Sequence, residues 1–209
     1  MATSENGKTT EFVNPIVPGF APDPQWSDPI TLPYPGIDLS LFFKDGRTYV
    51  QGCFSLGLVD SAIQPSCTIK QFEINVETRE KLTEPREIRA GHSCVDTEGP
   101  HIYKVSWRYY LEVAKGGTFE HHMLSIARSE SICGPYESYA QTPILSADGK
   151  PDEYIQNTGR DELFRDEAGQ WWAIVLAVRN EKTCQPLGRE TFLARVDWPC
   201  YGWPKIDHP

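Results

Sequence analysis

Three carboxylates in this sequence sit on stretches stiff enough to aim them. Glu98 lies in T-E-G-P-H (Thr97 to His101), among small residues and just ahead of two short aromatic and β-branched runs, Ile102-Tyr103 and Tyr109-Tyr110-Leu111. Runs of that kind separated by a few polar residues predict a hairpin. A proline cannot donate to a ladder, so Pro100 is expected at the mouth of the first strand, with Glu98 in the turn before it. A carboxyl fixed by a sheet and partly desolvated is the placement a general acid needs. A solvated turn glutamate reads the same way. Asp23 is pinned between Pro22 and Pro24 in N-P-I-V-P-G-F-A-P-D-P (Asn14 to Pro24). It suits a catalytic base or a turn-forming aspartate. Asp38 precedes L-S-L-F-F-K-D-G-R-T-Y-V, whose Asp45-Gly46 marks a second hairpin, and so repeats the placement of Glu98.

The elements that must position these acids are strands. Aromatic residues make up 11% of the 209 residues, with 16 Gly and 17 Pro, and no helical period is sustained. Further strands are expected over 68–74, 122–127, 171–178 and 191–196. The run Trp171 to Val178 is nearly all apolar, which predicts burial on both faces. The turns K-D-G-R-T-Y-V, K-V-S-W-R-Y-Y-L and D-E-A-G-Q-W-W-A-I recur roughly sixty residues apart, a spacing expected of a radially repeated sheet. The fold class is all-β, and the architecture a β-propeller. A net charge of −9 argues against nucleic acid, and no apolar run is long enough to span a membrane. The N-terminus has no apolar leader, which points to a cytoplasmic protein, with secretion left open. Six cysteines without C-x-x-C spacing argue against zinc and read as free thiols.

Taken together, five motifs resemble glycoside hydrolase family 43, in its β-xylosidase and α-L-arabinofuranosidase branch. They are the Asn14–Pro24 segment, I-D-L-S-L-F-F-K-D-G-R-T-Y-V, T-E-G-P-H-I-Y-K, the stretch from Ala114 to Glu137, and C-Q-P-L-G-R-E-T (Cys184 to Thr191). The resemblance implies a five-bladed propeller that removes terminal β-xylosyl or α-arabinofuranosyl residues from xylan-type saccharides with inversion. It implies that Asp23 is the general base, Glu98 the general acid and Asp38 the carboxylate that tunes the acid. Arg189 is similar to an arginine that reaches the substrate. The partner implied is a xylo- or arabino-oligosaccharide.

Two departures from the family pattern stand out. Pro24 runs directly into Gln25-Trp26-Ser27-Asp28-Pro29-Ile30, so on the order of a hundred residues, part of the first blade and all of the second, are expected to be missing. The propeller of residues 14–209 would then be incomplete, behind a disordered tail at 1–13. The truncated ring could be catalytically silent and at most bind carbohydrate, or be closed by a second chain. In I-Q-N-T-G-R-D-E-L-F the family's usual histidine is Arg160; a guanidinium cannot ligate a cation, and it either supplies the positive charge itself or marks a decayed site. No cofactor is therefore expected, including the calcium some members carry. His121 and His122 read as polar rim or strand residues.

Overall fold

The computed structural model describes residues 2–3, 9–10, 34–54, 67–78, 80–90, 97–180 and 188–209. The chain divides into two compact units, 1–31 and 32–209. In the first, β1 (Ala2–Thr3) pairs antiparallel with β2 (Thr9–Thr10). The remainder of the expected disordered tail, Asp23 and the Pro24–Gln25 junction all lie outside the described residues.

The second unit is all strand and turn among its described residues. It holds three consecutive antiparallel meanders. The first blade runs β3 (Gly36–Lys44), β4 (Arg47–Phe54), β5 (Thr68–Ile74), β6 (Arg86–Arg89). The second runs β7 (Thr97–Val105), β8 (Arg108–Lys115), β9 (Met123–Ser129), β10 (Glu137–Ser138), with β11 (Leu145–Ser146) also pairing with β9. The third runs β12 (Ile155–Arg165), β13 (Trp171–Arg179), β14 (Glu190–Asp197), β15 (Lys205–Ile206). The predicted hairpins form in register: Lys44 faces Arg47 across Asp45-Gly46, and Val105 faces Arg108 across Ser106-Trp107. Asp45 and Gly46 both have positive φ, as a two-residue hairpin turn of this hand requires.

Neighbouring blades bury their faces against each other, because no single four-stranded sheet can cover its own apolar side. Between the first and second, Tyr49, Cys53 and Ile69 meet Ile102, Tyr109, Leu111 and Val113. Between the second and third, Tyr110, Leu124 and Ile126 meet Leu163, Ala173, Val175 and Val196. Trp198 and Trp203 close that second core. Tyr110 lies 5.0 Å from Trp198, its hydroxyl donates to the Gly202 carbonyl, and Tyr139 stacks on Trp203 at 4.5 Å. Each such buried side chain removes enough apolar surface to contribute about 1.5–3 kcal/mol.

Two strand expectations need correction. Pro100 is not at the mouth of its strand: β7 begins at Thr97, and Glu98 already pairs with Ala114. A register shift between Glu98 and His101 takes Gly99 and Pro100 out of the ladder, so the proline forfeits no hydrogen bond. Nor is β13 buried on both faces. Ala173 and Val175 are buried against the second blade, whereas Ile174 is 41% exposed on the other face. The opposite end of the array also exposes apolar side chains. Along β3 the exposed positions are Ile37, Leu39, Leu41 and Phe43, every one apolar.

Candidate active site

The first strand of each blade is an edge of its sheet, and each carries an irregularity at its entry half. The ladder shifts between Ile37 and Ser40 in β3, between Glu98 and His101 in β7, and twice between Gln156 and Asp161 in β12. The residues released there adopt the left-handed region: Asp38 (φ 55°), Gly99 (φ 53°), Asn157 (φ 54°) and Arg160 (φ 39°). For aspartate, asparagine and above all arginine this backbone is strained by roughly 1–3 kcal/mol each, and strain of that kind concentrates at functional sites. A bulge turns a side chain out of the sheet and re-aims it. The three bulges on adjacent blades bring the Asp38 and Arg160 side chains and the Gly99 backbone N–H to one place.

At that place one carboxylate oxygen, Asp38 Oδ2, takes two donors. Arg160 Nη1 lies at 2.7 Å and the Gly99 backbone N–H at 3.1 Å. Asp38, predicted just ahead of its hairpin, is thus inside β3 at the bulge, joined to the residue that follows Glu98. A second tether lies beside it: Gln51 Nε2 donates to Ser40 Oγ at 2.6 Å, and that hydroxyl donates to the Pro100 carbonyl. The turn after Glu98 is therefore held to the first blade from both sides. Glu98 itself is half-buried. Its charge and that of Asp38 both reach the buried Cys53 thiol, which burial and then Cys67 push well above the usual thiol value.

Two histidines border the site, and their sequence neighbourhood carried little sign of it. His101, one residue beyond the β7 bulge, is held below the ordinary imidazole value mainly by burial; Glu162 and Asp38 oppose that shift and Arg160 adds to it. His122, predicted as a rim or strand residue, is buried with its Nδ1 on the Asn157 carbonyl at 3.1 Å. Burial lowers it too, reinforced by Arg189 and Arg160. Its ring packs directly on Gly159, where an added Cβ would fall 2.4 Å from the imidazole. The T-G in N-T-G-R was the one sequence signal for that close approach. Arg189 is exposed, and its charge reaches His122, while its neighbour Glu190 takes the ion pair with Arg179 at 2.8 Å.

Among the described residues no group of three or more His, Cys, Asp or Glu side chains gathers to hold a metal ion. Of the sequence-predicted residues, the structure unites Asp38, the Glu98 turn and Arg160, and brings the charge of Arg189 to their border. Asp23 lies outside the described residues.

The sequence profile of glycosyl hydrolases family 43 matches residues 21–204. The chain is 38% identical over 213 residues to a non-reducing end α-L-arabinofuranosidase of Bacteroides ovatus, covering 99% of this chain and 37% of that protein. It is 31% identical to a β-xylosidase of Bacillus subtilis, covering 87% of this chain and 36% of that protein. Its fold superposes on a xylan β-1,4-xylosidase from Bacillus halodurans with a TM-score of 0.75 at 34% identity, covering 82% of this chain and 33% of that one. A family 43 enzyme retrieved from a capybara gut metagenome gives 0.74 at 33% identity. These neighbours are five-bladed β-propellers, and this chain spans a little over a third of the length of the relatives it matches, an incomplete propeller. With the three bulged blades and the motifs they carry, the match over 21–204 identifies the chain as a member of glycosyl hydrolases family 43.

Proposed function

We propose that the site serves hydrolysis of a glycosidic bond with inversion, releasing terminal β-xylosyl or α-arabinofuranosyl residues from xylan-type oligosaccharides. The observation that carries this reading is the joining of Asp38 to the Glu98 turn through the Gly99 N–H, which couples a third carboxylate to the acid across two blades. In this reading Glu98 protonates the leaving oxygen while Asp23 takes a proton from water attacking the opposite face of the sugar. Such a pair works when the carboxyls stand about 6.5–9.5 Å apart, leaving room for the water. Asp38, kept in place by Arg160 and Gly99, is the carboxylate beside Glu98, its charge partly offset by the Arg160 guanidinium. A nearby like charge favours the protonated, donating form of an acid. Arg189 reaches the substrate from the β14 side.

A second reading, a propeller fragment that binds carbohydrate without cleaving it, is favoured by the exposed apolar side chains at both ends of the array. Purified protein incubated with nitrophenyl β-xyloside and nitrophenyl α-arabinofuranoside separates the two. Turnover that is lost in Glu98→Gln and in Asp23→Asn, with the product anomer inverted by NMR, supports hydrolysis. Sugar binding by a folded sample with no turnover supports the fragment reading.

A further inference from the structure

Arg160 is placed unlike any other arginine among the described residues. Its backbone sits at φ 39°, where a long side chain is costly, so the surrounding structure must hold it there. Its stem lies along the Gly99 turn, where a Cβ at position 99 would come within 3.6 Å of its Cγ. Its Nη1 bonds the same Asp38 oxygen that receives the Gly99 N–H. Its charge acts on both bordering imidazoles. A metal ion at this point would have to share a carboxylate oxygen already holding two donors, beside a guanidinium that would repel it. His122 cannot turn its Nδ1 towards one without giving up the Asn157 carbonyl.

We infer that Arg160 is a resident cation at the meeting point of the three bulges, a positioning residue that clamps Asp38 and, through it, the Gly99 turn carrying Glu98. The guanidinium itself supplies the positive charge at this point. The clamp is a property of the fold. Only its catalytic consequence rests on the hydrolytic reading above.

The test reads the Gly99 amide, which needs no turnover. In ¹⁵N-labelled protein, Arg160→Met is expected to speed hydrogen exchange at Gly99 about tenfold, since its acceptor is no longer held. Arg160→Lys, which keeps the charge and loses the fork, is expected to show a smaller rise. Asp38→Asn should match Arg160→Met, and the double variant should add nothing, the signature of two residues acting as one unit. Calcium or a chelator should leave the melting temperature of the unaltered protein where it is. Unchanged Gly99 exchange in a cooperatively melting Arg160→Met protein would overturn the clamp, and a calcium-dependent rise in melting temperature would overturn the resident cation. Should Arg160→Met not fold, Asp38→Asn and Arg160→Lys read the same pair from its other side. Where the protein turns over substrate, Arg160→Met should lower kcat more than it raises KM, with partial rescue by lysine. A responsive Gly99 amide in a protein without turnover would uphold the clamp and sink the hydrolytic reading alone.

Discussion

The two blade junctions place a buried polar side chain at the same point and treat it differently. Gln51 in β4 pairs with Ser40, the first residue beyond the β3 bulge; Glu112 in β8 pairs with His101, the first beyond the β7 bulge. Both are almost wholly buried, and both sit on the side of their sheet that packs on the next blade. Gln51 is neutral and donates to Ser40, leaving only its Oε1 without a partner. Glu112 meets the buried carboxyl of Asp161, with the Tyr103 hydroxyl beside Glu112 and the Asp161 backbone N–H beside Asp161 as donors that favour the ionised forms. Two carboxylates are acceptors only, so a bond between them exists only while one keeps a proton. Burial, and then Asp161, push Glu112 well above the usual carboxylate range. Burial pushes Asp161 up to about 6, against the hydrogen bond from Glu112 that favours its ionised form. An amide and an acid of nearly equal shape thus leave the first of these two points without a titrating group and give the second a carboxyl pair whose proton burial holds.

The largest effect that would break the contrast lies in the aromatic seal of the second junction. Tyr110→Ala removes a fully buried ring against Trp198 and Trp203 and is expected to lose about 3–5 kcal/mol, read as a fall in melting temperature. Gln51→Glu would give the first junction the acidic character of the second. It should cost about 1–3 kcal/mol at pH 8 by burying a charge without a partner, and recover on acidification. Glu112→Gln should do the reverse. A carboxyl whose proton is held more tightly in the fold than in the unfolded chain favours folding at low pH. That stability falls as pH rises from the ordinary carboxylate value to the raised one. Denaturant titrations of the unaltered protein should therefore show stability declining from about pH 4 through pH 6 and beyond, in keeping with Asp161 at about 6. In Glu112→Gln that decline should shrink, with a gain on the order of 1–2 kcal/mol at pH 8. An unchanged pH profile in this variant would show that the pair does not share a proton.

Much of the frame was legible in the sequence because its signals are local. Asp45-Gly46 dictates its hairpin, and the runs at 109–113 and 171–178 are strands wherever they are placed. The family motifs mark Asp38 and the Glu98 turn, which the structure brings together. What escaped depends on partners far along the chain. Nothing near Glu112 announces Asp161, which arrives 49 positions later on another blade. The bulges left no period to read, since one or two unpaired residues restore the alternation on either side of them. Ile174 was misplaced for a related reason: an apolar side chain does not by itself say whether anything packs on it, and this one is 41% exposed.

The exposed side of β3 has a consequence for how the molecule behaves in solution. Ile37, Leu39, Leu41 and Phe43 form an oily stripe on a body carrying a net charge of −9. At low ionic strength the like net charges of two molecules repel, which opposes contact between the stripes. Added salt shortens the reach of that repulsion to about 3 Å at 1 M while making water a poorer host for the stripe. Light scattering across a salt series is therefore expected to show association rising with ionic strength at a fixed protein concentration.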